Sequence, residues 1–136
     1  MTRGSCLCGA VVFEIDGETT EIGMCHCSKC RKVSGVASNA TLMTSSDNLR
    51  WVSGEDHIMK YAMADGWGAW RCTTCGSPLP KLHGGGGAYW VPAGVLDDDP
   101  GVRIAGHIFV GSKAAWDEVG GNGPRLSKGF GSKPAD

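Results

Sequence analysis

Cys72-Thr73-Thr74-Cys75-Gly76 is the stretch from which the fold follows. Two thiols separated by two residues, closed by a glycine that tolerates left-handed backbone, form a knuckle whose amides face sulfur. The knuckle supplies half of a tetrahedral zinc shell and needs a second pair. Cys6-Leu7-Cys8 supplies it. We expect Cys6, Cys8, Cys72 and Cys75 to close a structural zinc site that ties the start of the domain to its middle. Metal binding then contributes directly to folding, because an unfolded chain has no preformed site. The competing reading, a thioredoxin-like redox pair at Cys72 and Cys75, lacks its βαβ context.

The remaining thiols stand together in Cys25-His26-Cys27-Ser28-Lys29-Cys30. Three thiolates leave one zinc position for water, a substrate or His26. An ion held this way can polarise a carbonyl, lower the pKa of bound water or keep an incoming thiol deprotonated. Three negative sulfurs weaken its Lewis acidity, so thiolate capture suits the shell better than water activation. A second closed site, completed by His26 or a remote residue, and an empty or oxidised cluster are the alternatives.

Composition narrows the class further. A chain of 136 residues, 41% hydrophobic, fits one compact domain that gains from metal staples. An odd count of seven cysteines argues against a fully paired disulfide scaffold. No apolar run approaches bilayer length, and Met1 to Ser5 leads into Cys6 without the hydrophobic segment of a secretory signal. The expected location is cytoplasmic, where thiols stay reduced or bind metal. Thirteen basic and fourteen acidic residues give a formal charge of −1, which is no footprint for nucleic acid, and nothing points to a membrane partner. Oligomeric state has no signature. The local basic stretch Lys29, Arg31, Lys32 reads either as a solvated loop or as attraction for an anionic substrate.

Short β-branched and aromatic runs recur between turn signals, which predicts a mostly β fold. The expected strands are 11–15, 37–43, 49–52, 57–62, 69–71, 88–91 and 108–110. Twenty-two glycines disfavour long helices. Helical turns are expected only at 28–33 and 113–119. The domain is expected to span 1–119, followed by a Gly-, Pro- and Ser-rich tail over 120–136 that is either mobile or packed on the same domain only through Leu126 and Phe130. Trp51, Trp70 and Trp90 are expected in the core, while Trp67, between Gly66 and Gly68, reads either as a pocket wall or as core packing. Gly84 to Gly87 lacks the Lys-Ser/Thr ending of a phosphate loop and reads as a hairpin tip. His26, between two ligands, is expected to point away from the metal. His107 is either structural or a proton-transfer or substrate-orienting group at a strand end.

Three segments together resemble the glutathione-dependent formaldehyde-activating enzyme family, also called the centromere protein V domain. They are Gly4-Ser5-Cys6-Leu7-Cys8-Gly9-Ala10, Cys25-His26-Cys27-Ser28-Lys29-Cys30-Arg31-Lys32 and Arg71-Cys72-Thr73-Thr74-Cys75-Gly76-Ser77-Pro78-Leu79. His107 to Trp116 and Pro124 to Phe130 are similar to that family's carboxyl-terminal pattern. The resemblance implies an Mss4-like fold of twisted antiparallel sheets stapled by zinc. It also implies carbon-sulfur lyase activity on the adduct of glutathione and formaldehyde, with Cys25, Cys27 and Cys30 catalytic and the other four thiols structural. Lys29, Arg31, His107 and Lys113 are the candidates for holding substrate. A zinc-stapled binding module without turnover and a redox or zinc sensor are the alternative functions.

Overall fold

The computed structural model describes residues 1–135; Asp136, the last residue of the expected tail, lies outside them. The chain forms strands β1 (Thr2–Ser5), β2 (Val12–Ile15) and β3 (Ile22–Cys25), helix α1 (Ser28–Ser34), then β4 (Asn39–Ser45), β5 (Leu49–Ser53), β6 (Ile58–Ala62), β7 (Gly68–Cys72), β8 (Pro78–Leu79), β9 (Lys81–His83), β10 (Ala88–Pro92) and β11 (Ile104–Ile108). The mostly β expectation holds. Among the described residues no helix is long and apolar enough to cross a membrane. The chain forms two compact units, one of Met1–Thr20 with Leu42–Val102, the other of Glu21–Thr41 with Arg103 onward.

In the first unit β2 pairs antiparallel with both β1 and β5, and the second ladder shifts register between Val12 and Phe13. The period-2 alternation of β2 sends Phe13 and Ile15 inward, where both are fully buried. Gly4 lies opposite Phe13, and a Cβ there would come 2.2 Å from the ring, so the ring occupies the space a side chain would need. A second ladder, β6–β7–β8, is also antiparallel, with Ile58 opposite Cys72 and Trp70 opposite Leu79. Cys6, Val11, Cys72 and Leu79 form a buried cluster covered by Trp51, Ile58 and Trp70, so two of the expected zinc ligands are part of the core. The tryptophans expected in the core are half-buried. Trp51 meets Phe13 and Tyr89 edge-on and donates its indole N–H to the Tyr89 hydroxyl at 3.2 Å. Residues 84–87 join β9 to antiparallel β10, as a hairpin tip should.

The second unit is built on β3. Its antiparallel neighbour β4 sets Met24 opposite Ala40 and Cys25 opposite Asn39, while β11 runs parallel to it, with His107 beside Met24 and Ile108 beside Cys25. The parallel pair makes this sheet mixed, while the other two sheets are antiparallel. The expected strand at 108–110 is displaced: β11 ends at Ile108 because Phe109 takes a left-handed conformation (φ 55°), and residues 110–112 close a 3₁₀ turn. The helical turn expected over 113–119 is a single turn closed by Asp117 N–H donating to the Ala114 carbonyl. Beyond it the chain returns along β11, where the amides of His107 and Leu126 donate to the carbonyls of Pro124 and His107.

Candidate functional site

Each end of the first thiol set owes its shape to a tight turn. At the knuckle, Gly76 sits at φ 78°, donates its amide to the Cys72 carbonyl at 2.9 Å, and leaves the Thr74 amide facing Cys72 Sγ at 3.4 Å. At the other end the Val11 amide faces Cys6 Sγ at 3.3 Å. Cys6, Cys8, Cys72 and Cys75 bring their sulfurs within 4.8 Å of one another. The Cys6–Cys8 and Cys8–Cys72 sulfur separations are 3.6 and 3.8 Å. Four sulfurs at the ordinary zinc–sulfur distance lie about 3.8 Å apart along a tetrahedron's edges, so the set fits one zinc ion with every position filled by protein.

Electrostatics within this set are uneven. The Ser77 hydroxyl, 3.3 Å from Cys75 Sγ, and the Ser77 amide draw that thiol down to about 5. The Cys75 amide, helped by that of Thr74, lowers Cys72. Cys8 goes the other way, up to about 11: the Ala10 amide stabilises its thiolate, but desolvation and hydrogen bonding with Cys6, Cys75 and Cys72 outweigh it. A cation bound by all four removes that mutual competition.

Cys25, Cys27 and Cys30 form the second set, also within 4.8 Å, with Cys25 and Cys30 buried and Cys27 partly exposed. Cys25 ends β3. Cys27 caps α1, its sulfur accepting the Cys30 amide at 3.3 Å, and the helix closes at Gly35. The strand end and the first helical turn therefore gather three thiols from six residues. Hydrogen bonding from Cys30, reinforced by the Cys27 amide and thiol, draws Cys25 down to about 6 against the effect of burial. Bonding to Cys25, then burial, pushes Cys30 far up. The set fits a zinc ion with three protein sulfurs and a fourth position for another donor.

His26 does not fill that position. Its ring is 2% exposed, and both nitrogens are engaged elsewhere: Nδ1 lies 3.1 Å from Asp117 Oδ2 and Nε2 lies 3.0 Å from His107 Nδ1. Burial lowers the His26 pKa, and the neighbouring His107 and Lys113 add to the effect, against the pull of Asp117. A buried His107–His26–Asp117 chain thus runs beside the trio. Asp117 escaped sequence reasoning: it lies 91 residues from His26, in a segment with no motif of its own.

The candidate cations are less alike than the sequence suggests. Arg31 Nη2 donates to the Ser112 carbonyl at 3.3 Å, while its buried Nε has no partner. The Lys113 ammonium donates to the carbonyls of Asp117 and Ala114 at 3.2 and 3.5 Å. Lys29 is half-buried on α1. Trp67 stands with Trp90, Lys81 and His83 around a cleft of about 580 Å³ in the first unit, as a wall rather than as core.

The family model for glutathione-dependent formaldehyde-activating enzyme matches residues 1–112. A crystal structure of a Rhodobacter sphaeroides protein, a structural genomics target, superposes with a TM-score of 0.58 at 27% identity, covering 75% of this chain and 98% of that one. A search of curated proteins found no match.

Proposed function

Because the chain belongs to the glutathione-dependent formaldehyde-activating enzyme family, we propose that it is a carbon-sulfur lyase that forms and cleaves the adduct of a small thiol and an aldehyde, S-hydroxymethylglutathione being the leading case. The reading rests above all on the inequality of the two thiol sets: one offers four sulfurs, the other three with a fourth position that His26 does not take. Bound zinc would keep an incoming thiol deprotonated at neutral pH.

The protein's own groups do the rest. Cys25, Cys27 and Cys30 hold the ion, and Cys6, Cys8, Cys72 and Cys75 hold a structural one. Arg31 is the best-placed cation for a substrate carboxylate, since its Nε has no protein partner and a guanidinium takes carboxylates in bidentate fashion. Lys29 adds charge from the same helix. Lys113, tied to two carbonyls, steadies the turn that carries Asp117 and is the weaker candidate for substrate contact. His107 orients His26, and through it the backbone between Cys25 and Cys27. Holding thiol and aldehyde together turns a bimolecular encounter into an oriented one. A reducing compartment, the cytoplasm, keeps all seven thiols available.

The test is the rate of condensation of glutathione with formaldehyde, followed by exchange NMR, with zinc-loaded wild type and Cys27→Ala at equal concentration. Acceleration by wild type alone supports the reading; equal rates remove it. Metal analysis of the same samples should give about two zinc ions per wild-type chain and about one for Cys27→Ala.

A further inference from the structure

Asn39 begins β4 directly opposite Cys25 in the β3–β4 ladder. Residues facing each other across an antiparallel pair project to the same side, with Cβ atoms about 5 Å apart. Asn39 is only 7% exposed, and its Nδ2 has no hydrogen-bond partner. A buried amide donor without a partner costs stability, and nearly all such groups are satisfied in folded proteins. A polar donor retained unsatisfied beside the end of a thiol-bearing strand is the pattern of a group that finds its partner in a ligand.

We propose that Asn39 is a substrate-positioning residue whose Nδ2–H hydrogen-bonds the oxygen of the aldehyde and of the hydroxyl group it becomes in the adduct. This rests on the lyase reading. In condensation the thiolate electron pair forms the C–S bond and the carbonyl π pair moves onto oxygen. That oxygen takes up the proton the thiol gave up, so the adduct is neutral at oxygen. Asn39 transfers no proton. Its donor stabilises the negative charge that grows on oxygen as the C–S bond forms and that persists until the proton arrives. Glutathione alone has no such oxygen, so the contact distinguishes adduct from free thiol.

Asn39→Val and Asn39→Thr provide the test, since both suit a strand and share a shape, while only threonine keeps a hydrogen-bond donor. Zinc content and glutathione affinity by calorimetry should match wild type in both and the thermal midpoint should not fall, whereas condensation should slow about 100-fold in Asn39→Val and recover in part in Asn39→Thr. Independently of turnover, the side-chain amide resonance of Asn39 in zinc-loaded wild type should shift when S-hydroxymethylglutathione is added and stay in place with glutathione. If wild type accelerates condensation and Asn39→Val does so equally, Asn39 has no such role and the lyase reading stands. Parallel loss of glutathione affinity and zinc in Asn39→Val, or an amide resonance that ignores the adduct, also overturns the assignment. No difference between wild type and Cys27→Ala sinks both.

Discussion

Replacing Gly54 by alanine should loosen the four-thiol site without touching a ligand. Gly54 has φ 77° and ψ 18°, and a Cβ there would lie 2.1 Å from the Ala10 carbonyl oxygen and 2.9 Å from Val11 Cα. Those atoms belong to the turn that presents Cys6 and Cys8, in which the Cys6 amide donates to the Val11 carbonyl at 3.0 Å and the Val11 amide faces Cys6 Sγ. The left-handed conformation costs a side-chain-bearing residue about 1–2 kcal/mol. Forcing a methyl against packed backbone adds about 1–3 kcal/mol. For a domain of this size about 4 °C is lost per kcal/mol, so the thermal midpoint should fall on the order of 10 °C. Zinc should also pass faster to a chromophoric chelator, with one of the two ions affected. Gly94→Ala is the control: nothing lies within 4 Å of its built Cβ, and it should be neutral or slightly stabilising. Equal midpoints and chelation rates for wild type and Gly54→Ala would refute the claim that this contact braces the site.

Two further outcomes concern titration. His26 is held below its ordinary value of 6.5, chiefly by burial, so the unfolded chain binds its proton more readily than the folded one. Its contribution is present above pH 6.5 and lost as pH falls through the depressed folded value; calorimetric midpoints should decline on acidification, and His26→Gln should flatten that decline. In metal-stripped protein, Cys75 should alkylate with a pH midpoint near 5 and the exposed Cys8 only toward pH 11, read by mass spectrometry after timed iodoacetamide treatment. Identical profiles for the two would show that Ser77 does not tune Cys75.

The thiol groups were legible because metal ligation imposes short spacings, and the strands at 12–15, 49–53 and 88–92 because they alternate or carry aromatic and β-branched side chains. β1 and β3 were not. Gly4 and Gly23 depress local propensity in strands that exist because partners sit beside them: Phe13 occupies the space over Gly4, and the ring of Phe130 covers Gly23. The end of β11 was misplaced because Ile108-Phe109-Val110 reads as continuous β sequence, while Phe109 takes a positive φ that ends the strand. Within the second unit, the engagement of His26 away from the three thiols agrees with its place between two of them. Its partners Asp117 and His107 lie 91 and 81 residues away, beyond any local pattern. Asn39 was hidden for another reason: within the expected strand 37–43, an unsatisfied donor looks like any other polar residue.

The interleaving of the two units along the chain has a consequence for the order of assembly. All four sulfurs of the saturated set have emerged from the ribosome once Cys75 is clear, so that half can be locked early. The trio emerges sooner still, but β11, His107 and Asp117 are translated after both thiol sets. During synthesis the three thiols thus stand as an unwalled loop, open to any soft cation, until the partners that His26 bonds in the folded unit have been made.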